Sequence, residues 1–150
     1  MGSVVKSIRI DKKTLSEVES LLHTKKETFS SLTSELIAEA VKMRKCPGIV
    51  FVEGPAGRRA RIEGTGIDVW ELISAYEEFN NDLSTLKEAF HWLTDRQIMA
   101  ANGYAKAYPD EIERFIKMNR GWSKEKAHTE LPFVRKKGSS SFWMRTLAPK

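Results

Sequence analysis

Apolar residues recur along this chain in rhythms that change several times. Near the N terminus Ile8 and Ile10 alternate with Ser7 and Arg9, the period of a strand. Leu15, Val18, Leu21 and Leu22 then return at helical spacing behind Asp11 or Thr14 as N-cap, with Thr14 and Glu17 placed for a capping box. Polar residues interrupt from His23 to Ser31. A second amphipathic helix follows, with Leu36, Ile37, Ala40 and Val41 on one stripe. Lys42, Arg44 and Lys45 fill its last turn, where cations complement the helix dipole, and Pro47-Gly48 stops it.

Two short runs, residues 49–53 and 58–62, flank Gly54-Pro55-Ala56-Gly57 and predict a β-hairpin. The next helix has a full set of start signals: Asp68 as N-cap, Glu71 three residues on, and Ile67 with Leu72 as a hydrophobic staple. Val69, Leu72, Ile73 and Tyr76 form its inward face, and Trp70 and Trp92 are expected in the same core. After a polar break at Asn80-Asn81, a helix over about residues 82–90 leads through His91-Trp92-Leu93 to another, from an N-cap at Thr94 to about Ala107. Gln97 completes a capping box there, and Leu93 with Ile98 a staple. Pro109-Asp110 opens a last helix carrying Ile112, Phe115 and Ile116. Beyond Asn119 periodicity ends, and Gly, Ser and Pro predict a flexible tail that still holds Phe133, Phe142, Trp143 and Met144.

Composition narrows the class. The chain has 150 residues, 41% hydrophobic and 30% charged, with no apolar run near the ~20 residues that span a bilayer. Its first residues contain no apolar h-region, so neither membrane nor export is expected and the cytoplasm is the default compartment. One cysteine, Cys46, and three dispersed histidines provide no metal-ligand spacing, and no cofactor is expected. The net charge of +5 is unevenly distributed: residues 1–45 carry +3, residues 46–118 carry −4 and residues 119–150 carry +6. Basic ends around an acidic middle suggest a polyanion or an acidic protein surface as partner.

Enzyme chemistry finds little support. Gly64-Thr65-Gly66 lacks the third glycine of a dinucleotide fingerprint, and neither a phosphate-cradling GxxxxGK[ST] nor a nucleophile elbow occurs. Glu77 and Glu78 lie on the polar side of an amphipathic helix. Two constellations point to DNA instead. A strand too short to stand alone, followed by two helices, invites a dimer in which two strands pair antiparallel and enter a major groove. With Ile8 and Ile10 inward, Val5, Ser7 and Arg9 would face the bases, and a helix starting among Ser30, Ser31 and Thr33 would point free N–H groups at a phosphate, with Thr33 and Ser34 as contacts. The second constellation has the proportions of a helix-turn-helix, with Arg96, Gln97 and Asn102 as exposed readers. A purely structural or dimerising role for that acidic segment is the competing reading.

These residues resemble a known family. VVKSIRIDKKTLSEVE, followed by Ser34-Glu35-Leu36-Ile37-Ala38-Glu39-Ala40, resembles the ribbon-helix-helix of prokaryotic repressors and antitoxins. Residues 46–116, through GPAGRRA, GTGIDVWE and YPDEI, resemble the helix-turn-helix domain of uncharacterised VapB-type antitoxins. The resemblance implies an antitoxin that binds its own operator DNA and neutralises a PIN-like ribonuclease toxin, whose metal site is a cluster of carboxylates. It also implies that the C-terminal segment lies over that site. Basic side chains between apolar anchors suit such a contact, either Phe142, Trp143 and Arg145 or Phe133, Arg135 and Lys136. The expected architecture is mainly α: a ribbon-helix-helix over residues 1–45, a β-hairpin and helix-turn-helix domain over 46–120, and an extended basic tail over 121–150. The expected assembly is a homodimer or higher oligomer. The alternative function is a stand-alone transcriptional regulator without a toxin.

Overall fold

A computed structural model describes residues 2–22 and 27–120. Among them are six helices and one two-stranded antiparallel sheet, and the chain divides into two compact units after Lys45.

In the first unit α1 spans Lys12–Ser20 and α2 spans Phe29–Lys45. Asp11 starts α1: its carboxylate accepts from the Thr14 N–H at 3.0 Å and from the Thr14 hydroxyl at 2.7 Å. Those bonds hold the Asp11 carboxyl below the usual carboxylate range. Thr14 is therefore the partner of the cap and not the cap. At α2 the expected start among Ser30, Ser31 and Thr33 is corrected to Phe29. Thr28 and Ser31 bond reciprocally, each backbone N–H donating to the other's side-chain oxygen at 3.1 Å, and the Leu32 N–H already donates to the Thr28 carbonyl at 3.0 Å. The expected strand at Ile8 and Ile10 is also corrected, since residues 2–10 take no regular secondary structure. A strand needs a second backbone to complete its ladder, and among the described residues none does so. α1 packs on α2, yet Leu32 is the unit's only buried apolar side chain among the described residues. Ile37, Ala40 and Val41, three of the four residues of the expected inward stripe, stand exposed.

The second unit opens with β1 (Ile49–Val52) and β2 (Arg59–Ile62), paired from Ile49 opposite Ile62 to Val52 opposite Arg59. Gly57 donates to the Gly54 carbonyl at 2.9 Å to close the turn. Gly48, before β1, has φ +91°, and a Cβ there would lie 3.3 Å from that of Ala100, so a turn and a close approach both require glycine. After β2 the Gly64-Thr65-Gly66 turn bonds to its own backbone. The Thr65 hydroxyl donates to the Ile62 carbonyl at 2.8 Å and accepts from the Ile67 N–H at 3.1 Å.

Four helices follow: α3 (Val69–Glu78), α4 (Leu83–Ala89), α5 (Asp95–Ala107) and α6 (Pro109–Arg120). α3, α5 and α6 start where the local signals predict, with Asp68 and Thr94 as N-caps and Pro109 as the first helical residue, while the helix expected over about residues 82–90 starts at Leu83 behind Asp82 as N-cap. Two successive left-handed residues, Asn80 at φ 54° and Asn81 at φ 60°, end α3, and the Asn81 N–H bonds back to the Tyr76 carbonyl at 2.9 Å. α3 is central, packing against β2, α4, α5 and α6, while α5 also lies against both strands and α6. The core comprises Ile49, Ile62, Ile67, Val69 and Leu72 with Leu86, Phe90, Ile98, Tyr104 and Ile112. Trp70, Ile73, Tyr76 and Trp92 pack against this core but are only half-buried, a more peripheral place than their spacing suggests.

Candidate nucleic-acid interface

Within the first unit Val5, Ser7 and Arg9 are exposed, on a segment that takes no strand pairing among the described residues. Val4 and Ile8, on the other side of the alternation, are exposed as well, and only Ile10 is half-buried. Ser34 is exposed in the second turn of α2. Thr33 is not a terminal phosphate contact. It lies one turn inside the helix, half-buried, and its hydroxyl oxygen is buried without a hydrogen-bond partner. The orphan N–H groups of α2 belong to the turn that starts at Phe29, a position obscured in the sequence by several adjacent candidate caps.

In the second unit, Gln97 is not a free reader. Its side-chain oxygen accepts from the Thr94 N–H at 2.9 Å, and its amide nitrogen donates to the Glu63 carbonyl at 3.2 Å, which ties the start of α5 to the end of the hairpin. Arg96 and Asn102 remain exposed. Six residues apart, they lie about 120° from each other around the helix axis. Arg96 borders an open cleft of ≈ 430 Å³ shared with Pro47, Gly48, Glu63, Thr94 and Ala100. Lys87 on α4 bridges to Asp95 on α5 at 2.7 Å.

The strongest electrostatic feature of this unit is structural. Asp68 is buried, and its carboxylate accepts from both Arg59 and Arg61, the latter at 2.8 Å. Residues 59 and 61 share one side of β2 because strand side chains alternate, and Asp68 returns beside Arg61 in an isolated antiparallel bridge. The Arg59 guanidinium also crosses Gly54, where a Cβ would overlap it, and donates to the Glu53 carbonyl at 3.2 Å. Glu71 accepts from the Asp68 N–H at 2.8 Å. Burial pushes its carboxyl up and the Asp68 charge adds to this, against that hydrogen bond and the nearby arginines. Sequence reading found the N-cap but missed the two arginines, since only the chain's return past β2 brings them together. Tyr104 is likewise a structural group: its hydroxyl donates to Glu111 at 2.8 Å, and burial, then the bond and charge of Glu111, drive the phenol far above its ordinary pKa.

Among the described residues no group of three His, Cys, Asp or Glu side chains could hold a metal ion, and no helix is long and apolar enough to cross a membrane. The partner-binding candidates Phe133, Arg135, Lys136, Phe142, Trp143 and Arg145 lie outside the described residues. No family model, curated protein or solved structure matches the chain.

Proposed function

We propose that the chain is an antitoxin and autorepressor: a homodimer that binds its own operator DNA through residues 2–10 and neutralises a PIN-like ribonuclease through its basic C-terminal segment. The observation that carries this reading is the unfinished state of the first unit. Among the described residues an alternating segment has no strand partner, and it is followed by two helices whose Ile37, Val41 and Met43 are exposed. Pairing with a second copy would satisfy the backbone of one and cover the apolar groups of the other. It would also present Val5, Ser7 and Arg9 together on the outer side of a two-stranded ribbon, an element that a major groove admits.

The toxin half of the proposal rests on the resemblance in sequence and on charge. A segment at +6 that carries Phe133, Phe142 and Trp143 has both the attraction for a carboxylate-lined metal site and the apolar anchors to hold it there. Coexpression with the product of the neighbouring short gene tests it directly. The expected result is one coeluting complex without ribonuclease activity, from which Trp143→Ala combined with Arg145→Ala releases activity while operator binding persists. On the DNA side, Arg9→Ala should cost about 1–3 kcal/mol of operator affinity, measured at fixed salt. A chain that binds operator but no neighbouring product is a stand-alone regulator.

A further inference from the structure

We propose that the outward face of α5 is a second contact between copies of this chain, additional to the pairing of residues 2–10, in which α5 packs antiparallel on α5 of a second copy across a twofold axis. It depends on neither the operator nor the toxin reading. Asp95, Arg96, Met99, Asn102, Gly103 and Lys106 are all exposed. At 100° per residue they fall within one arc of about 120°. The opposite side of α5 faces the domain, through Ile98, Ala101 and Tyr104.

Shape and charge on this arc select the same axis. Met99, 72% exposed, is the most exposed large apolar side chain among the described residues of the second unit. One turn on, Gly103 has nothing within 4 Å of an added Cβ. A single copy thus carries a knob and a socket four residues apart, and two copies related by a twofold midway between them fill each other's sockets. Such an axis, perpendicular to α5, reverses the helix direction but keeps each flank beside the same flank of its mate. Asp95 and Lys106 share a flank, about 20° apart around the helix and about 16 Å apart along it, so each Asp95 carboxylate meets the Lys106 ammonium of the other copy. The midpoint of positions 99 and 103 is residue 101, and that of 95 and 106 falls between residues 100 and 101, less than about 1 Å away along the helix. One twofold therefore serves both pairs. Lys87 holds one oxygen of Asp95 at 2.7 Å, which orients the carboxylate and leaves its other oxygen for Lys106, a cation without an ion-pair partner among the described residues. Arg96 lies on the other flank, where the same axis sets it over Ala107, a side chain small enough to leave it room, and Glu63 in the adjoining cleft offsets its charge. The surrounding domain, residues 46–118, carries −4, so the face favours a second copy over a polyanion.

Sedimentation of the full chain over a concentration series, without DNA, reads this contact. Gly103→Leu fills the socket. Within one copy the added side chain has room and leucine is the better helix former, so thermal stability should hold or rise while self-association weakens tenfold or more. Met99→Glu, at a position already in solvent, should weaken association in the same way with the thermal transition unchanged. In a Cys46→Ser background, Asn102→Cys lies within about 1.5 Å of the level of the axis, so a short bis-maleimide should link two copies, and adding Gly103→Leu should prevent the link. A wild-type chain that stays a single copy at every concentration overturns the proposal. So does self-association unchanged in both variants, which would assign it to residues 2–10 alone, and so does an Asn102→Cys chain that associates but does not link. Loss of DNA affinity in the variants without a change in mass would make this face a nucleic-acid contact and equally overturn it.

Discussion

Between residues 12 and 45 a pair of helices buries one apolar side chain, Leu32, and α1 buries none, while Leu21, Ile37, Val41 and Met43 remain in solvent. Between residues 49 and 116 a hairpin and four helices bury fifteen apolar side chains, Ile62, Val69, Ala101 and Tyr104 without any exposure. Both segments have amphipathic helices with good caps, so propensity and capping do not explain the contrast. The difference is closure. The second unit folds a sheet and four helices around α3 and covers every apolar stripe except at Leu83, Met99 and Met118. The first has two helices and a segment without strand partners among the described residues, too little to enclose a core, which is the condition in which a second copy contributes what one chain lacks.

If the second unit is self-contained, damage inside it should be large and should stay there. Asp68→Ala removes the shared partner of two half-buried arginines together with an N-cap. It should destabilise the second unit by about 3–5 kcal/mol in chemical denaturation, without changing self-association through the first. A loss under about 1 kcal/mol would show that Arg59 and Arg61 are readily rehydrated. Trp70→Ala should cost about 2 kcal/mol, below the roughly 3–5 kcal/mol of a fully buried tryptophan, because the ring is half-exposed at the edge of the core.

The same contrast predicts an alkaline asymmetry. The folded state raises the pKa of Tyr104 above the unfolded value of about 10, so the stability gained by burying the neutral phenol is complete below about pH 10 and is lost as pH rises beyond it. The first unit contains no tyrosine. Melting followed from about pH 8 to about pH 11 should therefore show the second unit weakening, with Tyr104→Phe flattening that limb. An unchanged limb in the variant would assign the effect to other groups.

The sequence was most legible where the determining signal is local. Asp68 with Glu71, Thr94 with Gln97, Pro109, and the glycine-proline turn of the hairpin each act within a few residues, and each element starts where they predict. It was less legible where several local solutions compete: Thr28, Ser30, Ser31 and Thr33 all offer cap oxygens, and the reciprocal Thr28–Ser31 bonds decide the start of α2. Where the partner is distant, the pattern was silent. Gln97 reads as an exposed polar side chain until Glu63 lies beside it, and Arg59 and Arg61 carry no sign of a partner until Asp68 returns to them. The segment at residues 2–10 is the extreme case, because the backbone proposed to complete it belongs to another molecule.

That dependence makes the amides of Ser7, Ile8, Arg9 and Ile10 the most direct probe of the account. Hydrogen exchange measured on the full chain over a range of protein concentrations should find alternate amides of this segment protected, as in an antiparallel ladder, with protection rising with concentration as the dimer forms. Free exchange of all four amides at every concentration would mean that no ribbon forms and would contradict the proposed mode of DNA binding.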